Sequence, residues 1–127
     1  MIEATEQARQ VIALHWRAFQ ANDLQKVLSH YADEALFCTP DGPLKGKQDL
    51  EALYREMFKL LPANETHWEF KQTFVDDNRV YCIWMAESPL VRIPIGSDTF
   101  ILEDGKIVYQ TFAGYLTPQE PGRASFS

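Results

Sequence analysis

The sequence predicts an α+β domain: three N-terminal helices packed on a curved antiparallel β-sheet. Three observations predict it. Stretches with helical spacing crowd the first half of the chain, with one short strand between them. Alternating or doubly apolar strand segments fill the second half, and Asp, Asn and Gly turn signals separate them. Helices followed by a meander argue for α+β rather than for alternating β and α units. At 127 residues there is room for one domain. Residues 1–116 form it. Residues 117–127, rich in Pro, Gly and Ser, read as an irregular tail.

Residues 5–21 form the first helix, capped by Thr5. Ala8, Val11, Ile12, His15 and Phe19 recur at i, i+3, i+4 and i+7 spacing and so share one face. His15 is the one ionisable group in that stripe. Asn22 and Asp23 suit the start of a short second helix, with Leu24, Val27, Leu28 and Tyr31 inside and an end near Asp33. Residues 35–39 make a first strand, closed by the turn cluster Pro40, Asp41, Gly42 and Pro43. A third helix starts near Lys47 and buries Leu50, Leu53, Tyr54, Met57 and Leu61. Pro62 ends it, because proline lacks the N–H and clashes with the preceding turn.

Residues 66–75 alternate, with Trp68, Phe70 and Phe74 on one face and His67, Glu69 and Lys71 on the other. After the Asp76-Asp77-Asn78 turn, residues 80–86 (VYCIWMA) are apolar on both faces. Such a strand is central and covered twice, or covered on one side by a second subunit. Ser88, Pro89 and Gly96 suggest irregular edges around residues 90–95. Residues 98–102, the Asp104-Gly105 turn and residues 106–115 complete a hairpin.

The net charge of −6, with basic residues scattered among acids, excludes the basic stripe of a nucleic-acid binder. No segment reaches the roughly 20 apolar residues of a membrane span, and the polar start MIEATEQARQ carries no apolar signal region, so a cytoplasmic protein is expected. Cys38 and Cys82 read as reduced thiols that pack as small apolar residues. No phosphate-binding glycine loop, dinucleotide fingerprint, paired-histidine metal motif or nucleophile elbow is present, so no cofactor and no metal are expected.

The run NDLQKVLSHYADEALFCTPDGPLKGKQDL and the run SDTFILEDGKIVYQTFAGY resemble the nuclear transport factor 2-like superfamily. That group has a cystatin-like cone fold and includes ketosteroid isomerases and SnoaL-like polyketide cyclases. The resemblance covers roughly residues 5–116. It implies a pocket between sheet and helices, and a homodimer through the outer sheet face that would cover the doubly apolar strand. It also implies site positions. In ketosteroid isomerases a first-helix tyrosine and a late-strand aspartic acid form an oxyanion hole, and a further aspartate moves the proton. The late-strand acid matches Asp98, the tyrosine position falls at His15, and the proton-moving position falls at Thr39, which has no useful basicity.

The candidate catalytic pair is therefore His15 and Asp98. His15 can serve as acid, base or donor, or be a structural buried histidine. Asp98 shares strand parity with Phe100 and Leu102 and so faces the interior, unless it belongs to the Gly96-Ser97 turn. Inside, burial would raise its pKa. A direct dyad requires the two side chains within about 3 Å. Gln110 is a candidate polar anchor or a partly exposed strand residue. Trp68, Phe70, Trp84, Phe100 and Phe112 are candidate wall aromatics or plain core. Phe19, Tyr31, Thr39, Tyr54 and Met57 complete the expected ligand-binding set. Two functions follow: a cofactor-independent isomerase- or cyclase-like enzyme moving a proton on a small apolar carbonyl compound, or a non-catalytic ligand-binding or dimerisation module.

Overall fold

Helix α1 (Ile2–Gln20) and the short α2 (Leu24–Ser29) lead into strand β1 (Tyr31–Thr39), a hairpin strand β2 (Gly42–Lys45) and helix α3 (Gly46–Leu60). Strands β3 (His67–Asp76), β4 (Arg79–Glu87), β5 (Val91–Glu103) and β6 (Lys106–Gly114) follow, then a two-residue strand β7 (Thr117–Pro118). The structure is a computed structural model and describes residues 2–119. The sheet is curved and unclosed, with strand order β2-β1-β6-β5-β4-β3, and β7 pairs with β5. The α+β architecture is the one the sequence predicts. The antiparallel pattern has one exception, since β1 runs parallel to β6.

α3 lies over β1, and α1 lies over β4 and β3. α1 buries Ala8, Ile12, His15, Trp16, Ala18 and Phe19. This is the predicted stripe with Trp16 and Ala18 added and Val11 only half-buried. Thr5 lies inside the helix rather than capping it. Its hydroxyl accepts from the Asp77 N–H at 3.0 Å, tying α1 to the β3–β4 turn. Asn22, at φ 55°, ends α1 and bridges outward. Its amide donates to Phe19 O at 3.1 Å and Leu61 O at 3.2 Å and accepts from Ala63 N at 2.7 Å. Asp23 caps α2 by accepting from Lys26 N at 3.1 Å.

Several boundaries differ from expectation, and each has a local cause. α2 ends at Ser29, so Tyr31 opens β1 instead of closing a helical face. The parallel pairing Tyr31↔Ile107 captures it into the sheet. The turn at residues 40–43 extends into β2, because Gly42 at φ 124° lets the chain fold straight back along β1. A register shift between Phe70 and Gln72 turns the strand over. Trp68 and Phe70 therefore reach the aromatic cluster, while Phe74 emerges on the outer face, 58% exposed and opposite Tyr81. β5 starts at Val91 instead of near Asp98, and the expected irregularity persists within it as a register shift against β4 between Trp84↔Gly96 and Ala86↔Ile93. Thr117–Pro118 add to β5, where composition predicts an irregular tail; residues 120–127 lie outside the described residues.

The core joins α1, the start of β1 and the inner faces of β4, β5 and β6. Cys82 is buried and both cysteines are free thiols. Gly96 pairs with Gly114 where β5 crosses β6. A Cβ on Gly96 would lie 2.7 Å from the Trp84 indole, and one on Gly114 would lie 2.9 Å from Ile95 O. The bare backbone at Gly96 is thus the surface on which the Trp84 ring rests. We expect Gly96→Ala to push the indole aside and cost about 1–3 kcal/mol, as overpacking does. Urea unfolding should show a lower midpoint, with Trp84 fluorescence altered already in the folded state.

Candidate functional site

A cavity of about 560 Å³ opens between the sheet and α1 and α3. Its wall is mainly aromatic and aliphatic. Phe19 and Trp16 come from α1, Tyr54 and Met57 from α3, Phe37 from β1, Trp84 from β4 and Phe112 from β6. The polar groups on the wall are few, which is the usual composition of a small-molecule site. His15, Asp98 and Gln110 lie deep, being 1%, 3% and 2% exposed, while Thr39 and Asp41 stand at the β1–β2 end.

Asp98 is held from inside. Trp84 Nε1 donates to its Oδ1 at 2.6 Å and Gln110 Nε2 donates to its Oδ2 at 2.8 Å. β-sheet register sets this up, since Cys82↔Asp98 and Asp98↔Phe112 place the carboxyl between Trp84 and Gln110 on the inner face. Burial pushes the Asp98 pKa up to about 7, although both hydrogen bonds pull it down. Both of these contacts are N–H donors and neither can accept, so a proton taken up by this carboxyl stays available on a group that lines the cavity. Asp98 can therefore donate to a ligand oxygen near neutral pH or accept from one above it.

His15 meets a different set of partners. Its Nε2 lies 3.2 Å from the Tyr54 hydroxyl and 3.4 Å from the Tyr31 hydroxyl. Its Nδ1 lies 3.2 Å from His30 Nδ1. Burial, and then the neighbouring His30, lower its pKa to about 3. The two tyrosine hydroxyls stand 2.5 Å apart, and Tyr31 donates to Gln110 Oε1 at 2.5 Å. Burial raises both phenols well above their ordinary range, with the neighbouring Tyr54 adding to the rise at Tyr31. A neutral imidazole so reluctant to take a proton is a hydrogen-bonding group and a poor general base near neutral pH.

The expected direct His15–Asp98 dyad is replaced by a relay. The carboxyl is bonded to Trp84 and Gln110, and the path back to His15 runs through Gln110 and Tyr31. Of the expected ligand-binding residues, Phe19, Thr39, Tyr54, Met57, Trp84, Gln110 and Phe112 line the cavity. Four are elsewhere. Tyr31 is 1% exposed behind the wall, within the relay. Phe100 is fully buried, with its ring edge-on to His15 at 5.8 Å. Trp68 and Phe70 stack on one another and tilt against Trp16, outside the cavity lining. Gln110 is fully enclosed and not the partly exposed strand residue its alternative reading described.

Sequence reasoning missed Trp16, His30 and Asp41. Trp16 was findable, since it stands four residues from Ile12 and three from Phe19 on the same face. Asp41 looked like a turn residue. Its N–H donates to Thr39 Oγ1 at 3.1 Å, a bond that holds the turn at the cavity edge. The Thr39 hydroxyl also donates to Gly42 O at 2.9 Å, so its proton is already engaged. No helix among the described residues is long and apolar enough to cross a membrane.

A family model described as a SnoaL-like domain matches residues 12–110. A search of curated proteins finds no match. Among solved structures, the chain is similar to a SnoaL-like protein of unknown function from Burkholderia thailandensis. Identity is 23%, coverage 87% of this chain and 95% of that one, and TM-score 0.71. It is also similar to an NTF-2 like protein of unknown function from Burkholderia xenovorans, at 20% identity, 95% and 89% coverage and TM-score 0.71. A protein from Kribbella flavida, provisionally assigned as a ketosteroid isomerase, matches at 13% identity, 96% and 87% coverage and TM-score 0.73. At these identities the structural matches establish the fold.

The opposite pKa shifts of Asp98 and His15 make a prediction. Asp98 rises from 3.8 to about 7, so the folded state holds its proton more tightly. That stabilisation is complete below the unfolded pKa and is lost as pH climbs to about 7. It amounts to about 4 kcal/mol at most. His15 falls from 6.5 to about 3, so its contribution is complete above 6.5 and lost as pH drops towards 3. Chemical denaturation at rising pH should show wild-type stability minus that of Asp98→Asn decreasing across the first window. Wild type minus His15→Asn should increase across the second.

Proposed function

The chain belongs to the SnoaL-like family of the nuclear transport factor 2-like superfamily, and on that premise we propose that it acts on a small, largely apolar carbonyl compound. The step is proton transfer next to the carbonyl, as in an isomerase or cyclase, without a cofactor. One observation carries this reading: a buried carboxyl, held by two N–H donors and with its pKa raised to about 7, lies on the wall of a mainly apolar cavity. An acid of this kind donates to the oxygen that gains charge as an enolate forms. Ketosteroid isomerase uses the same device, a protonated aspartic acid held neutral by its apolar site.

In this reading Asp98 is the oxyanion donor. His15 holds the tyrosine hydroxyls in place and does not move the proton itself. Asp41, on the cavity wall two residues beyond Thr39, is the carboxylate available to abstract or return a proton at the mouth. The aromatic wall supplies most of the binding and excludes water, which strengthens the hydrogen bond to the oxyanion.

A second reading has support of its own. The resemblance puts the proton-moving aspartate of ketosteroid isomerases at Thr39, whose hydroxyl is tied to Gly42. A protein with that arrangement can hold a ligand without turning it over. Exchange of α-protons for deuterium in a panel of small cyclic ketones, followed by NMR, separates the two. Wild type should catalyse exchange for at least one of them. Asp98→Asn should lower that rate by about 10²–10³, the usual loss for one oxyanion donor. Ligand-induced thermal stabilisation with no exchange across the panel would favour the binding module.

The outer face of the sheet supports a homodimer. Phe74 and Tyr81 face each other across β3 and β4 and are 58% and 41% exposed, with Ile95 on β5 also exposed. Large apolar side chains grouped on an open sheet face mark a surface that a partner covers. Solution mass at micromolar concentration should correspond to two chains, and Phe74→Lys should shift it to one.

A further inference from the structure

The hydrogen bonds around His15 have a direction, and that direction follows from counting protons. When Asp98 is ionised it can only accept, so Gln110 turns its NH₂ toward Asp98 and its Oε1 toward Tyr31. Tyr31 commits its one proton to that Oε1. The Tyr31 and Tyr54 oxygens are 2.5 Å apart, a separation that requires a proton between them, and it must come from Tyr54. His15 Nε2 then faces two oxygens whose protons are both engaged, at 3.2 and 3.4 Å, so Nε2 carries the hydrogen. A neutral imidazole has one N–H, which leaves Nδ1 as a bare acceptor. His30 Nδ1, 3.2 Å away, must therefore be protonated and donate to it.

We propose that His30 is a positioning residue for the site, the outer end of a single donor chain that runs through His15, Tyr54, Tyr31 and Gln110 and terminates on Asp98. His30 follows the last turn of α2, and its ring is half-buried, whereas every other member of the chain is almost wholly enclosed. It stands outside the cavity lining, at the end of the chain remote from Asp98. Its N–H satisfies the inward lone pair of His15, and the remaining hydrogens then all point one way. The groups that face this pair are Tyr31 from β1, Tyr54 from α3, and Lys26 and Lys106 beside His30. Burial and then the two lysines lower the His30 pKa from its ordinary value, so at pH 8 both imidazoles are neutral and a single proton lies between them.

The role of the donor chain in chemistry rests on Asp98 being the group that meets the ligand. Its direction does not, so the two can fail separately. The test is ¹⁵N NMR of both histidine rings in the ligand-free protein at pH 8, where no turnover is involved. The expected result is His15 protonated on Nε2 and His30 protonated on Nδ1. Tyr31→Phe removes the hydroxyl that engages Tyr54. The Tyr54 proton then turns to the better acceptor, His15 Nε2, and both histidines should exchange tautomers, with His15 now donating from Nδ1 to His30. A wild-type His15 bearing its hydrogen on Nδ1 overturns the proposal, as does a Tyr31→Phe protein whose two tautomers are unchanged. Should that variant fail to fold, the wild-type tautomers decide alone. Absence of ketone exchange alongside the expected tautomers would sink the enzymatic reading and leave the donor chain intact.

Discussion

Everything about this molecule's interior turns on the need to keep one carboxyl group content where water cannot reach it. Asp98 sits 3% exposed among aromatic rings, and an isolated charge there would cost several kcal/mol. Two features answer that cost. Trp84 and Gln110 each give the carboxylate a donor, and the group itself shifts toward its neutral form. Neither feature is free-standing. The Trp84 ring lies against Gly96, and Gln110 keeps its orientation because Tyr31 occupies its carbonyl oxygen. Tyr31 in turn is held by Tyr54, and His15 closes the group from α1. Satisfying one buried oxygen pair thus draws in α1, α3 and four strands.

The same constraint explains why the two titratable groups have such different characters. Both are buried to a similar degree, so burial disfavours the charged form of each. For a carboxylic acid that means holding its proton to higher pH; for an imidazole it means refusing one to lower pH. The result is an acid that can give a proton near neutrality beside a histidine that cannot take one. Their division of labour comes from chemistry of the side chains more than from any asymmetry in the surroundings.

How far this was legible in the sequence can be followed residue by residue. Helical spacing put His15 and Phe19 on the inner face of α1, and strand parity put Asp98 and Phe100 inside β5; both hold. Periodicity also placed Tyr54 inward on α3. What failed was whatever depends on long-range pairing. Tyr31 could continue a helical pattern as well as open a strand, and only its parallel partner Ile107, 76 positions away, decides between them. Period-two arguments carried Phe74 to the wrong face, because a bulge resets the count and leaves no mark in composition. The dyad failed for a simpler reason: parity says which way a side chain points and nothing about what stands between two that point the same way. His30 drew no attention in the sequence, because its contact with His15, 15 positions away, depends on how α1 and α2 fold against each other.

The parallel pairing of β1 with β6 also bears on the order in which the molecule is made. β6 is the last long strand, yet it supplies Gln110 and lies beside Tyr31, an early residue. Contacts of such separation close slowly, since the intervening loop must lose its freedom first. On the ribosome, α1 and its stripe of Trp16 and Phe19 emerge long before the strand that completes their shelter. A chain stalled short of residue 106 would keep those rings in reach of chaperones, and its polar relay would lack Gln110, the link between Tyr31 and Asp98.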